Sequence, residues 1–566
     1  MSKISKEVQK QRKQQRKQQK KEQEKLKNNP VINYMGGISY ELNPLNQLKI
    51  IATSSVFSEP QYYRKNEKDT HFNKDGFYKI NKYVNDFAIF NDETCDYGDK
   101  TTSEIMIEAI NKSLDFDYEN TIKFAKVLRK EYNMRLNPQI IMVLAAMHEK
   151  RKDHSVLFSK INKEVMQRAD EPSSQLAFYI YNYGSKRGIP SILKRNWKNK
   201  YENLTRYEVS KYKNHELGII DTVRICHANN EIINELMENG KVEINDNQKT
   251  WQNLRTEGKT WKDIVDADIL GHMALLKNLK NIFNELNDDD KKDQERANLT
   301  LKKLKGGVKK GKQFPFRYYT AYKNIENSKV NFKARILDAL EECIDISIEN
   351  MPKLKGKTMC LSDNSGSAWG SINSEYGSVT IAEIDNLSSV ITSQCSDEGY
   401  VGKFGDNLET IPISKRNGAL MQSQIISNKR YSDIGGSTEN GIWLFFKQAI
   451  ESKEHWDNIF IYSDQQAGHG GLYGVGKDYL IENESFKCKD QSYYSNYIDV
   501  MQLIEKYRKE VNPKVNVFCI QTAGYNNAII PEYTYRGGIL AGWTGKESLF
   551  AQKLIKIWDD IEKNNK

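Results

Sequence analysis

Long apolar runs are missing from this 566-residue sequence. None approaches the ~20 residues that a helix needs to cross a bilayer, so a membrane-spanning protein is not expected. The N-terminus lacks the apolar core of a secretory signal and is rich in Lys and Gln instead. Cysteine pairing motifs are absent too. Cys95, Cys226, Cys343, Cys360, Cys395, Cys488 and Cys519 form no C-x-x-C pair, and their number is odd. Reduced, mostly structural thiols in the cytoplasm are the expected state. At about 150 residues per domain the length allows roughly two to four domains.

The formal charge is +10, but residues 1–27 hold eleven Lys/Arg against three Glu and so supply +8 of it. The body is close to neutral, and any basic surface there must come from local clustering. Residues 1–28 read as a basic tail, disordered or a solvated helix, because the segment favours helix but offers no apolar stripe. Such a tail is either solubilising or a non-specific arm for phosphates.

Residues 29–355 read as mainly helical. Apolar residues recur at helical spacing in Ile105-Ile107-Ile110-Leu114, Ile122-Phe124-Val127-Leu128, Ile140-Ile141-Val143-Leu144-Met147, Leu157-Ile161-Val165, Ile219-Val223-Ile225 and Leu270-Met273-Leu276-Leu279. Alternating β patterns are scarce there. Short antiparallel helices over about 300 residues predict an α-solenoid of HEAT-like repeats with a curved surface. Residues 288–313 read as an exposed charged helix and loop, and Phe332 to Asn350 as a long amphipathic helix.

From residue 356 to 566 the pattern changes to alternating β and α, which predicts a doubly wound α/β sheet. Its strands are expected at Met359-Cys360-Leu361, Gly399–Gly402, Ile459–Tyr462, Val515–Ile520 and Gly538–Leu540. The helices are expected at Ile381–Gln394, Glu439–Ser452, Val500–Val511 and Ser548–Glu562. Ligands of such sheets bind at the carboxyl ends of the strands.

A candidate metal site stands there. Asp363, Ser365 and Ser367 make a D-x-S-x-S pattern after an apolar β run, and Gly366 permits a tight turn between the hydroxyls. One carboxylate and two hydroxyls suit a hard, oxygen-preferring cation, Mg²⁺ or Mn²⁺. Gly435-Gly436-Ser437-Thr438 opens a helix and can present the Thr438 hydroxyl, while Asp464 follows an apolar strand. The three segments together resemble the metal-ion-dependent adhesion site of a von Willebrand factor type A domain. Read singly, Asp363 and Thr438 are ordinary helix caps and Asp464 a turn residue. Hydrolysis would need a placed general base. His469 is the one nearby candidate, and it reads as a structural or solvent-facing loop residue. Gly306 to Lys312 and Gly471 to Lys477 fit G-x-x-x-x-G-K, but Gln313 and Asp478 replace the Ser/Thr that a phosphate-binding loop requires. The first reads at most as a plain basic loop that touches RNA phosphates.

Residues 186–213 hold nine Lys/Arg against Glu202 and Glu208, interleaved with Trp197, Tyr201, Tyr207 and Tyr212. Cations capture phosphates and aromatics can stack on unpaired bases; the bland alternative is a solvated helix face with core aromatics. The segments Gly188–Lys194, Lys211-Tyr212-Lys213, Asp221–His227, Pro315–Tyr322 and Pro60–Arg64 resemble the TROVE module, the RNA-binding module of Ro autoantigens and their bacterial relatives. The order of TROVE module and then type A domain is also matched, over roughly residues 33–560. The resemblance implies a closed ring of HEAT-like helices. Its hole would accept single-stranded ends of misfolded RNA, and its outer face would bind structured Y RNAs. It implies a part in noncoding-RNA quality control, alongside an exoribonuclease or another protein docking through the metal site. One departure is Gly218-Ile219-Ile220 where the family often has Trp-Ser-His before the Asp, which puts Y RNA recognition in doubt. Another is an insertion of about 35 residues after Asp464.

The chain therefore reads as a non-catalytic RNA-binding scaffold, monomeric within a ribonucleoprotein. Lys186, Arg187, Lys194, Arg195, Lys198, Lys211, Lys213 and Arg224 are the candidate phosphate contacts, while His227 reads as packed. Asp363, Ser365, Ser367, Thr438 and Asp464 are the candidate ligands of the divalent cation. The alternatives are a metal-dependent protein-adhesion scaffold without RNA binding and a metal-dependent nuclease.

Overall fold

The structure, a computed structural model, describes residues 29–32, 38–41, 43–54, 102–132, 134–184, 188–211, 218–245, 249–370, 379–428, 434–435, 439–463, 500–522, 530, 533–541 and 547–564. The basic tail, the Pro60–Arg64 segment, the insertion after Asp464 with His469, and the second glycine motif lie outside these residues. An antiparallel hairpin, β1 (Asn29–Ile32) and β2 (Ile38–Glu41), opens the described chain; the helical reading of this region did not anticipate it. No described helix is long and apolar enough to cross a membrane.

Helices follow. The first group is α1 (Pro44–Ser54), α2 (Thr102–Phe116), α3 (Tyr118–Lys130), α4 (Asn137–Met147), α5 (Ser155–Val165), α6 (Glu171–Tyr183), α7 (Ser191–Glu202), α8 (Arg206–Lys211) and α9 (Ile219–Cys226). The second is α10 (Glu231–Asn239), α11 (Trp251–Thr256), α12 (Trp261–Asp266), α13 (His272–Lys277), α14 (Leu279–Glu285), α15 (Lys291–Gly311), α16 (Pro315–Glu326) and α17 (Lys333–Ile348). Caps set many boundaries: Asp117, Asn230, Thr250, Thr260 and Asp290 each accept a bond from a first-turn amide. Packing alternates along the chain. Helix α3 touches α4 and α5, α4 touches α6, α5 touches α7, and α6 and α7 both touch α9. That is the stacking of paired helices into layers.

Two buried polar clusters tie the layers together. Gln175 Nε2 donates to Gln139 Oε1 and Asn162 Oδ1, both at 2.7 Å, and Trp197 Nε1 donates to Gln175 Oε1 at 2.8 Å. One amide thus links α4, α5, α6 and α7. Ser173 Oγ bonds Tyr201 Oη at 3.0 Å and the Gly218 carbonyl at 3.1 Å, and Thr222 Oγ1 donates to Ser173 Oγ at 2.9 Å. Buried polar groups must be satisfied, so these bonds specify register between helices as well as adding stability.

Two expectations for the second half are corrected. The pattern at residues 270–279 is two short helices, α13 and α14, meeting at Asn278. The segment Gly306 to Lys312 is no loop: it forms the last turns of α15, capped by Lys312 at φ 48°. Its glycines answer a packing need. A Cβ on Gly307 would lie 2.4 Å from His272 Nδ1, and one on Gly311 2.5 Å from His272 Cδ2. The imidazole rests on this bare strip of helix and bonds Tyr318 Oη through Nε2 at 2.6 Å.

The α/β unit contains β3 (Leu354–Asp363), α18 (Gly366–Gly370), α19 (Ile381–Gln394), β4 (Ser396–Phe404), β5 (Leu408–Pro412), α20 (Ala419–Asn428) and α21 (Glu439–Glu451). It continues with β6 (Asn458–Ser463), α22 (Val500–Glu510), β7 (Asn516–Gln521), β8 (Tyr533–Thr534), β9 (Gly537–Ala541) and α23 (Glu547–Asn564). The sheet order is β5-β4-β3-β6-β7-β9-β8, parallel throughout except for the antiparallel edges β5 and β8. The edges and α20 carried no clear pattern in the sequence. Strand β6 is buried at every residue, as a central parallel strand covered on both faces must be. The chain winds outward from β3 through β4 and β5, then returns to β6 on the other side. The crevice at this reversal opens at the carboxyl ends of β3 and β6, where doubly wound sheets bind ligands.

The α/β unit touches both ends of the helical array. At one end α1 packs on α23, Lys553 pairs with Glu131 at 3.6 Å, and its ammonium lies 4.9 Å from the Tyr132 ring centre. At the other, α17 packs on α20, Asp345 Oδ1 accepts from the Ala419 amide at 2.9 Å, and Lys323 pairs with Glu383 at 3.3 Å.

Candidate nucleic-acid interface and metal centre

Strand β3 ends in Asp363, wholly buried at the sheet reversal. Its Oδ1 accepts from the Ser365 amide at 2.9 Å, which folds the following loop back onto the carboxylate. Its Oδ2 accepts from Ser463 Oγ at 2.7 Å, across the crevice from the end of β6. Asn364 holds the loop from behind. Its Nδ2 donates to the Ser362 carbonyl at 3.1 Å and Asn386 Oδ1 at 2.9 Å, while Asn386 Nδ2 returns a bond to Asn364 Oδ1 at 3.1 Å. Ser365 is buried beside Asp363. Asp363 and Ser365 are thus brought into one turn. Ser367 falls in α18 but its side chain is not among those described, and Thr438 and Asp464 lie outside the described residues.

The described donors, a buried carboxylate with a buried hydroxyl beside it, fit a hard divalent cation. Among the described residues no three His, Cys, Asp or Glu side chains gather, so such an ion would lean on hydroxyl oxygens. Ser463 and Asn386 were not singled out in the sequence. Ser463 stood next to a candidate ligand at a strand end and could have been; Asn386 arrives from a helix far along the chain, with no local signal.

Helix α7 carries most of the described part of the basic stretch. Leu193, Trp197 and Tyr201 point into the core, which turns Arg195 to the other side and leaves Lys194 and Lys198 on the flank. Arg195 is exposed, and Lys194 and Lys198 are half-buried one turn apart. Arg224 is exposed on α9, which packs against α7. Burial pushes the Cys226 thiol on α9 up to about 11, and the Lys198 ammonium is near enough to oppose that shift. Lys194, Arg195 and Arg224 make no ion pair among the described residues. Other cations of the stretch are already engaged: Lys198 by Glu202 at 3.7 Å, Lys200 by the Gln167 carbonyl at 3.0 Å, and Arg206 by Glu231 at 3.0 Å and by Glu235. Lys186, Arg187 and Lys213 lie outside the described residues, and Lys211 ends α8 with its side chain not described.

Two expectations change. Trp197 and Tyr201 are fully buried and bonded within the polar clusters, so neither is a stacking platform for bases; only Tyr207 of the described aromatics here is exposed. His227 is not packed. It is exposed and closes α9 in the left-handed region at φ 54°, because the chain must reverse there.

The whole arrangement has a counterpart among solved structures. The crystal structure of the Deinococcus radiodurans Ro (RSR) protein superposes with a TM-score of 0.61, over 79% of this chain and 93% of that one, at 14% sequence identity. The chain has the fold of a bacterial Ro protein. The likeness is one of backbone, and at this identity the Ro fold is what it establishes. The sequence itself matches no family model and no curated protein.

Proposed function

We propose that the chain is a non-catalytic RNA-binding scaffold of the Ro type, cytoplasmic and monomeric within a ribonucleoprotein. The observation that carries this is a set of cations on two packed helices, Lys194 and Arg195 on α7 and Arg224 on α9, that make no ion pair among the described residues, in a chain with the Ro fold. Most cations elsewhere on α7 and α8 are spent on carboxylates or carbonyls; these are available to phosphates. Lys186, Arg187, Lys198, Lys211 and Lys213 are the further candidate phosphate contacts of the same stretch. The helical array closes into a ring through the α/β unit, a reading supported by the contacts of that unit with α1, Glu131 and Tyr132 at one end and with α16 and α17 at the other. Single-stranded ends of misfolded RNA enter the ring, and Y-like noncoding RNA is the second ligand class. The α/β unit is of the von Willebrand factor type A kind. Asp363, Ser365, Ser367, Thr438 and Asp464 would hold Mg²⁺ or Mn²⁺. The bound ion supplies a coordination position for the carboxylate of a protein partner such as an exoribonuclease.

Titration of labelled RNA binding against salt tests the proposal. Wild-type affinity should fall steeply with salt. Reversing Lys194, Arg195 and Arg224 to Glu should flatten the slope by about 2 for a single strand, if each cation meets one phosphate. Binding of a protein partner that chelator abolishes, with no RNA affinity at low salt, would establish the adhesion reading instead. Mg²⁺-dependent RNA cleavage lost in Asp363→Ala would establish a nuclease.

A further inference from the structure

Helix α15 carries a second basic face, remote in sequence from α7. From Arg296 to Lys312 it contains no acidic residue. The lysines on its flanks are neutralised by neighbouring elements: Lys303 by Asp268 on one side, Lys305 by Glu342 and Lys309 by Glu349, each at 2.8 Å, on the other. The outward face differs. Leu299, Lys302, Gly306 and Lys310 follow one another along it at helical spacing, all exposed, Leu299 by 65%. Neither Lys302 nor Lys310 has an ion pair or hydrogen bond among the described residues.

Gly306 separates the two lysines. Its neighbours Gly307 and Gly311 are explained by the His272 ring, which leaves no room for a Cβ at either. Gly306 has no such reason: nothing lies within 4 Å of where its Cβ would be. Glycine weakens a helix interior relative to alanine, and no close packing offsets that here. What it provides is bare backbone between two ammonium groups with no ion pair among the described residues, about 12 Å apart along the axis. A strand lying along the helix can approach closely there. An acidic protein would use the lysines but gains nothing from a missing side chain between them.

We infer that the outward face of α15 is a second contact for single-stranded RNA, with Lys302 and Lys310 on the phosphates and the strand seated over Gly306. This rests on the RNA-binding reading but uses none of its residues. The test measures binding of the full chain to labelled oligouridylate, to a closed hairpin RNA and to polyglutamate, across a salt series. Lys302→Gln with Lys310→Gln should reduce the salt slope for oligouridylate by about 1.4 and leave the hairpin unaffected. Gly306→Leu should raise the thermal midpoint while weakening oligouridylate binding. If the α7 and α9 reversals weaken RNA binding but both α15 variants keep wild-type affinity, the inference fails and the RNA-binding reading stands. If the α15 variants lose polyglutamate alone, the face belongs to an acidic protein and the inference fails. Wild-type protein that binds no RNA overturns both.

Discussion

His272 shows how one side chain dictates its neighbours. Its ring is clamped between the glycine strip of α15 and the Tyr318 hydroxyl, and burial pushes the imidazole below its ordinary value of 6.5. A base whose folded pKa is depressed contributes stability that is complete above its unfolded pKa and is lost as pH falls through the lower, folded value. Chemical denaturation should therefore show wild type losing more stability between pH 7.5 and 5 than His272→Gln; parallel losses would refute it. Gly307→Ala should cost about 1–3 kcal/mol by overpacking, because the added methyl meets the ring. Asp363 makes the other residue-scale prediction. If it anchors a divalent ion, Mg²⁺ or Mn²⁺ should raise the thermal midpoint of wild type and leave Asp363→Ala unmoved. An equal shift in both would place the ion elsewhere.

Helices α4 to α7 are locked by the Gln175 amide, and its contribution is separable from RNA binding. Gln175→Leu strands buried partners on Gln139, Asn162 and Trp197, at a cost of about 3 kcal/mol or more in unfolding titrations. Trp197→Phe removes a single donor and should cost about 1–2 kcal/mol while leaving RNA affinity unchanged. A drop in affinity without loss of stability would return Trp197 to the role of a base-stacking platform. The element α15 illustrates a different point. Its glycines and lysines resemble a phosphate-binding loop when read as a string, yet helical periodicity divides them into a face for His272, two flanks for carboxylates and one free edge.

At the scale of the molecule, the α/β unit bridges two ends of a helical array. Lys553→Glu weakens the seam at Glu131 and Tyr132, and Asp345→Ala weakens the seam at the Ala419 amide. Together they should lower the sedimentation coefficient of the intact chain without changing its helix content by circular dichroism; an unchanged coefficient would mean that these contacts do not hold the units together. The helices α2 to α5 and α9 and the buried strands β3, β4, β6 and β7 were legible from apolar patterning, because burial on one face or on both leaves a repeat in the chain. So was the placement of Asp363 at a strand end. Edge strands β5 and β8 were not, since a short, half-solvated strand needs no strict pattern. Sequence by itself thus determined the two architectures and their order. Only tertiary structure decided which cations are paired among the described residues, that Trp197 and Tyr201 belong to the core, and that Ser463 and Asn386 gather around the Asp363 loop. Pairing between residues distant in the chain depends on how helices and strands stack, and no local repeat encodes that.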